Sequence, residues 1–268
     1  MLHRASLLHP FTLVLSVAAL VGLLCLASAQ EGDASTPATG TSRFRGKTVV
    51  VTGANRGLGL ELATQLAAAG ARVVGTAREP AEAKELAATG ARVLPLDVID
   101  PDSVAAFAQA LGDAPVHLLF NNAGVSGRAW TDLPTAERAR RVLDVNTLGP
   151  MRVTDALLPR LAAAEGAIIA NMSSRLGSLS DNTSGGYGGY RESKAALNMY
   201  TRSLAAEHED DGILAVCMSP GWVRTDMGGP DATLEPEESV RGLLQVLEGL
   251  EPDQSGLFWN HDGTQLEW

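Results

Sequence analysis

Cysteine is nearly absent from this chain of 268 residues, which carries two, Cys25 and Cys217. That excludes a fold stapled by several disulfides. Histidine is sparse as well. The five, at positions 3, 9, 117, 208 and 261, lack the short spacings that bring ligands around an ion, so no catalytic metal is expected. Positive charge is in deficit, with 21 Lys and Arg against 31 Asp and Glu and a net charge of -10. No basic stripe offers a track for nucleic acid, and the net charge opposes electrostatic binding to anionic membrane surfaces. Aromatic residues are 4% of the chain while hydrophobic residues are 45%, so a core has to be built from alanine and leucine. Fixed-period repeats are missing too, and the length suits one domain around one sizeable core. The acidic run Glu209-Asp210-Asp211 reads as a solvated helix end.

Long apolar runs are missing except near the start. After His3 and Arg4, residues 11 to 26 are nearly all apolar, and Ala27-Ser28-Ala29 precedes Gln30. This is the pattern of a secretory signal peptide cleaved after Ala29. Residues 1–29 are therefore read as a signal peptide or membrane anchor, 30–45 as a polar flexible linker, and 46–268 as the folded domain. An uncleaved anchor is the alternative, with roughly 16 to 19 apolar residues being marginal for crossing a bilayer. A start site placed too early is the third. Export to the periplasm or medium, membrane anchoring, and a cytoplasmic location follow from these three readings in turn. Leu24 before Cys25 is not the small residue that a lipidation site needs. Removal of the segment would leave Cys217 alone and unable to form an intramolecular disulfide.

What is present begins with an alternation of strands and helices. Lys47 to Val51 reads as a short buried strand and runs through Thr52-Gly53-Ala54-Asn55-Arg56-Gly57-Leu58-Gly59 into an alanine-rich helix. Glycines in such a turn let backbone approach a pyrophosphate, and the helix N-terminus offers free amides and a partial positive charge. Further apolar runs at Ala71 to Thr76, Arg92 to Leu96, Val116 to Phe120, Ala167 to Met172 and Leu214 to Met218 alternate with helical stretches. With a last strand near Leu257 to Asn260, seven strands are predicted in a parallel sheet covered on both faces. The expected fold is α/β, a single Rossmann-type doubly wound domain.

A second constellation carries chemistry. Tyr190-Arg191-Glu192-Ser193-Lys194 places a phenol and an ammonium four residues apart, on one face of a helix, and Ser174 stands sixteen positions before the tyrosine. The ammonium beneath the hydroxyl would favour its ionised form, so that a group with an ordinary pKa near ~10 works near neutrality. Tyr-x-x-x-Lys also arises by chance as an exposed pair, and only its company gives it meaning.

In order along the chain, the glycine turn, Asn121-Asn122-Ala123-Gly124, Asn146, Ser174, Tyr190 and Lys194 resemble the classical branch of the short-chain dehydrogenase/reductase family, over residues 45 to 268. The resemblance implies that Asn146, Ser174, Tyr190 and Lys194 form a catalytic tetrad. Asn146 would bind water through its backbone and relay protons, and Ser174 would orient the substrate. The Ser-x-x-Gly spacing to Gly177 favours Ser174 over Ser173. It further implies a cofactor held by Gly53, Asn55, Arg56, Gly57, Leu58 and Gly59, and by Asp97 and Val98 beside the adenine. Asn122, Ala123 and Gly124, Tyr190 and Lys194, and the loop residues Pro220, Gly221, Val223 and Thr225 complete that set. The run from Tyr190 to Met199 and the ending Asp262-Gly263-Thr264 are most similar to the small carbonyl-reductase-like and C-factor-like members. Such proteins usually form dimers or tetramers.

Charge selects between the two nicotinamide cofactors. A free ribose diol needs an acid, which the family carries where Ala77 stands here. Arg78 follows it, and Arg56 sits in the glycine turn, so NADP(H) is expected in preference to NAD(H). The plain alternative is that both arginines are solvated surface residues. The sequence thus predicts an NADP(H)-dependent oxidoreductase acting between a small-molecule carbonyl and its alcohol, with Tyr190 as general acid or base. The alternative is an exported or membrane-tethered dinucleotide-binding protein with a signalling or interaction role and little turnover. The glycine-rich stretch Ser184 to Gly189 is expected to line the substrate mouth, with Trp130, Trp222 and Met227 on loops beside it.

Overall fold

A computed structural model describes residues 42–268. The signal peptide or anchor expected over 1–29 and the linker up to residue 41 lie outside the described residues. Seven strands form one sheet: β1 (Thr48–Val51), β2 (Arg72–Ala77), β3 (Arg92–Pro95), β4 (Leu118–Asn121), β5 (Ile168–Met172), β6 (Leu214–Ser219) and β7 (Phe258–Asn260). All pair in parallel, in the order β3-β2-β1-β4-β5-β6-β7. The strands are short and nearly all apolar because both faces of a parallel sheet are covered by the crossover helices.

Those helices are α1 (Gly57–Ala68), α2 (Lys84–Ala88), α3 (Pro101–Leu111), α4 (Thr135–Leu143), α5 (Gly149–Ala162), α6 (Tyr190–Glu207) and α7 (Pro236–Glu248). One face of the sheet, through Val49, Val51, Phe120, Ile168 and Val216, packs against Leu62 and Leu66 of α1, Leu86 of α2 and Leu243 and Leu247 of α7. The other, through Val50, Leu119, Ile169 and Ala215, packs against Phe107 of α3, Val153, Leu157 and Leu161 of α5 and Leu204 of α6. Alternate residues of each strand thus serve opposite cores. The chain winds outward from β1 to β3 and then returns to place β4 on the other side of β1. That reversal, at the carboxyl ends of the strands, is where doubly wound proteins bind ligands.

The domain begins earlier than its sequence suggested. The polar sequence pattern places residues 42–45 in a flexible linker, yet Phe44 is buried in the core. The Arg43 guanidinium donates to the carbonyls of Leu247 (2.9 Å) and Leu250 (3.0 Å), and its backbone N–H donates to Glu248 (2.8 Å). The terminal carbonyls of α7 have no partners within their own helix, and Arg43 supplies one from two hundred positions away. Among the described residues no helix is long and apolar enough to cross a membrane.

Candidate active site

The glycine turn follows β1. Gly53 and Gly57 hold φ of +62° and +53°, in the left-handed region that suits glycine. A β-carbon on Gly59 would stand 2.3 Å from the Gly53 carbonyl oxygen, so only glycine lets the first turn of α1 settle on the strand end. No side chain caps α1 at Arg56, which leaves its first amides free for an anion. Asn122 ties the turn to the end of β4: its Nδ2 donates to the carbonyls of Thr52 (2.9 Å) and Gly53 (3.1 Å). The backbone N–H groups of Asn122 and Ala123 both donate to the Thr52 hydroxyl at 3.0 Å. Asp97 stands half-buried just past β3, its backbone N–H donating to Ser103 (2.9 Å) and its carboxylate receiving Ile99 N–H (3.2 Å). Val98 beside it is buried. Arg78 is exposed just past β2 while Ala77 is buried.

A loop after β6 reaches the glycine turn from the other side of the sheet order. Pro220 accepts from the Ser239 hydroxyl (2.7 Å), and Gly221 turns with φ +78°. Val223 is buried and bridges to Leu234. Thr225 then lies over the glycine turn, its methyl 3.5 Å from where a Gly57 β-carbon would be. The glycine turn, the end of β4 and the loop after β6 are thus brought to one place.

The four tetrad residues converge beside it. Asn146 is fully buried in a π-helical turn, Asp144–Leu148, that joins α4 to α5. Its amide clasps Val125 in both directions, accepting from its N–H (2.8 Å) and donating to its carbonyl (2.9 Å), and Nδ2 also donates to the Ser193 hydroxyl (3.0 Å). Pro150 has no N–H, so the Asn146 carbonyl lacks its usual helical donor four residues on. Lys194 is buried, and its ammonium donates to the Met172 carbonyl at the end of β5 (2.7 Å). Asn146 Oδ1 and Lys194 Nζ would stand 3.3 and 3.8 Å from a β-carbon on Gly124, which places both against the loop after β4.

The two candidate serines separate cleanly. Ser173 is buried and its hydroxyl donates to Asn198 on α6 (2.5 Å). Ser174 is half-buried, starts the helical turn Arg175–Gly177, and lies beside the Tyr190 hydroxyl. One expectation needs correction. Lys194 Nζ lies 5.7 Å from the centre of the Tyr190 ring and also donates to the Met172 carbonyl, so its attraction for the phenolate is set against the burial of the phenol. Burial pushes the Tyr190 phenol above its ordinary value, and the group that opposes this is the Ser174 hydroxyl. Burial also pushes Lys194 down to about 8, with the buried Cys217 thiol opposing, because a charged amine loses its hydration there.

Two partners of the tetrad escaped the sequence. Ser193 is buried, donating to the Tyr190 carbonyl (2.7 Å) while it accepts from Asn146, and the Thr147 hydroxyl donates to the Ser193 carbonyl (2.8 Å). Its position beside Lys194 was the available signal, but a serine within a charged helical run reads as solvent-facing. The Met172 carbonyl could not be foreseen from a side-chain type.

The stretch Ser184 to Gly189 is a second correction. Gly185, Gly186 and Gly188 line a cleft of about 410 Å³ with Leu176, Leu179 and Arg191. Ser174 and Tyr190 are not among its walls, since the Arg175–Gly177 turn stands between. Of the three loop residues expected at the mouth, Trp222 is half-exposed and donates to the Gly228 carbonyl (2.9 Å), and Met227 is exposed in the same loop. Trp130 lies under the Arg141 guanidinium, 5.7 Å from its centre.

A family model for short chain dehydrogenases matches residues 47–235. The C-signal protein of Myxococcus xanthus is 49% identical over 165 residues, 61% of this chain and 99% of that protein. A 1-hydroxy-2-glutathionyl-2-methyl-3-butene dehydrogenase of Rhodococcus is 37% identical over 231 residues, covering 82% of this chain and 99% of that one. Among solved structures, an NADPH-bound carbonyl reductase from chicken fatty liver superposes with a TM-score of 0.79 at 37% identity, covering 84% of this chain and all of that one.

Proposed function

The chain belongs to the short-chain dehydrogenase family, among its carbonyl-reductase-like members, and from that premise we propose that it is an NADP(H)-dependent oxidoreductase acting between a carbonyl and its alcohol. One observation carries this: Asn146 and Lys194 both lie against Gly124, Lys194 Nζ lies 5.7 Å from the centre of the Tyr190 ring, and Ser174 lies beside the Tyr190 hydroxyl. The residues present suit the dinucleotide. Gly53, Asn55, Arg56, Gly57, Leu58 and Gly59 would hold its pyrophosphate, Asp97, Val98 and Asn122 to Gly124 its adenosine side, and Pro220, Gly221, Val223 and Thr225 its nicotinamide end. The 2'-phosphate would fall to Arg56 and Arg78, with Ala77 leaving the diol without an acid. When bound, the nicotinamide supplies or accepts the hydride.

The chain itself handles the proton. Ser174 hydrogen-bonds the substrate oxygen and fixes it against the Tyr190 hydroxyl, which donates its proton as the carbonyl is reduced and recovers it in the reverse direction. A phenol held protonated by burial is ready to donate. Lys194 lies behind Tyr190 as a cation that steadies the phenolate once the proton has left. Asn146 would offer its backbone carbonyl, to which Pro150 cannot donate, to water, through which Lys194 and then Tyr190 can be resupplied.

NADPH and NADH oxidation over a panel of aldehydes, ketones and diketones tests the proposal, with Tyr190→Phe as control. Turnover with NADPH that the control loses by about 10²-fold or more supports it. Tight NADPH binding without turnover, equal in both proteins, would move the assignment to a signalling or interaction role. The identity to a protein named C-signal is what favours that second reading.

A further inference from the structure

The two arginines assigned to the 2'-phosphate are not in the same state. Arg78 is exposed past β2 with no ion pair among the described residues. Arg56 is already engaged: its Nη1 lies 3.3 Å from Oδ2 of Asp226, a pair spanning 170 positions between the glycine turn and the loop after β6. That loop is held from its other side as well, because Arg128 Nη1 donates to the Met227 carbonyl at 2.9 Å. Thr225, immediately before Asp226, rests its methyl over Gly57. The carboxylate is therefore delivered to Arg56 by a loop fixed in place on both flanks.

We infer that Asp226 is a specificity-determining residue for the cofactor, competing with the ribose 2'-phosphate for the Arg56 guanidinium. This rests on the NADP(H) assignment proposed above. Asp226 engages Arg56 through Nη1 alone, and a phosphate dianion, which takes a guanidinium through two parallel N–H groups, is the stronger acceptor for it. Binding of a 2'-phosphorylated dinucleotide then exchanges the partner of Arg56 and frees Asp226, whereas an unphosphorylated one leaves the pair intact. The pair is highly exposed, with side-chain exposures of 73% and 83%, so its effect is a modest brake on phosphate binding, not a block.

The test is calorimetric titration of the full-length protein with adenosine 2',5'-bisphosphate and with 5'-AMP, neither of which can be turned over. The variants are Asp226→Asn, Arg56→Gln and the double variant. Asp226→Asn should bind the bisphosphate about three-fold more tightly, the size of an exposed ion pair released, with 5'-AMP unchanged. Arg56→Gln should weaken the bisphosphate about ten-fold, and in that background Asp226→Asn should have no further effect. Unchanged bisphosphate affinity in Asp226→Asn, with Arg56→Gln still weakened, would overturn the inference and leave the cofactor assignment standing. A gain that persists in the double variant would also overturn it, since Asp226 would then act by direct repulsion. Equal wild-type affinity for bisphosphate and 5'-AMP would defeat the cofactor assignment, and the inference with it.

Discussion

Gly177 and Lys194 meet with no side chain between them: a β-carbon on Gly177 would stand 2.8 Å from Cβ and 2.9 Å from the carbonyl carbon of Lys194. The turn that begins at Ser174 is thereby pressed onto the α6 backbone one helical turn past Tyr190. That contact explains why the serine is followed at this interval by glycine.

Gly177→Ala should consequently push the Ser174 turn away from Tyr190. Overpacking of this kind costs roughly 1–3 kcal/mol, readable as a lowered denaturation midpoint. The reductase rate should fall more than cofactor affinity, because Gly177 contacts the Ser174 turn and α6 and not the glycine turn. Equal activity in the variant would show that the turn tolerates displacement.

The two serines should part company on substitution. Ser173→Ala leaves the Asn198 amide oxygen without its donor, a loss of about 1–3 kcal/mol in stability, with kcat nearly intact. Ser174→Ala should do the reverse, sparing the midpoint in urea while lowering kcat by about 10²-fold, as loss of a group stabilising the reacting oxygen does.

Lys194 makes stability and activity depend on pH in opposite senses. Its ordinary pKa of 10.5 falls to about 8 in the folded chain. Between those values the unfolded chain holds a proton that the folded one has released, so stability rises with pH from about 8 upward. The Cys217 thiol, raised from 9.0 to about 12 by burial, works against this above 9, where only the unfolded thiol ionises. The measurement is therefore the difference between wild type and Lys194→Met in urea midpoints from pH 7 to 9. It should change by about 1 kcal/mol per unit above pH 8. Carbonyl reduction should decline over the same range as the cation is lost, and Lys194→Arg should remove that decline at the cost of a lower maximum.

Phe44 should prove part of the domain. Phe44→Ala removes a buried aromatic side chain and should cost about 3–5 kcal/mol. A chain starting at Gly46 should be destabilised further by loss of the Arg43 cap on α7. Thermal unfolding of both against the full-length protein checks this, and unchanged midpoints would return residues 42–45 to the linker.

The seven-stranded parallel fold was written locally. Strand runs such as Val49-Val50-Val51 and Ile168-Ile169-Ala170 are apolar on both faces, and that pattern by itself requires cover on both sides. The order of the glycine turn, Asn146, Ser174, Tyr190 and Lys194 was legible for the same reason, since each lies in or next to a periodic element whose type its own residues declare. Tertiary structure alone decided the rest. Arg43 caps carbonyls at Leu247 and Leu250, Arg56 meets Asp226, and Lys194 turns to the Met172 carbonyl. Each joins segments far apart in sequence, so no local period encodes it. Burial, too, is a property of the assembled core, and it reversed the expectation for Tyr190: desolvation raises the phenol, opposed by the Ser174 hydroxyl. Spacing along a helix fixes which side chains share a face, but the packing around that face fixes their charge.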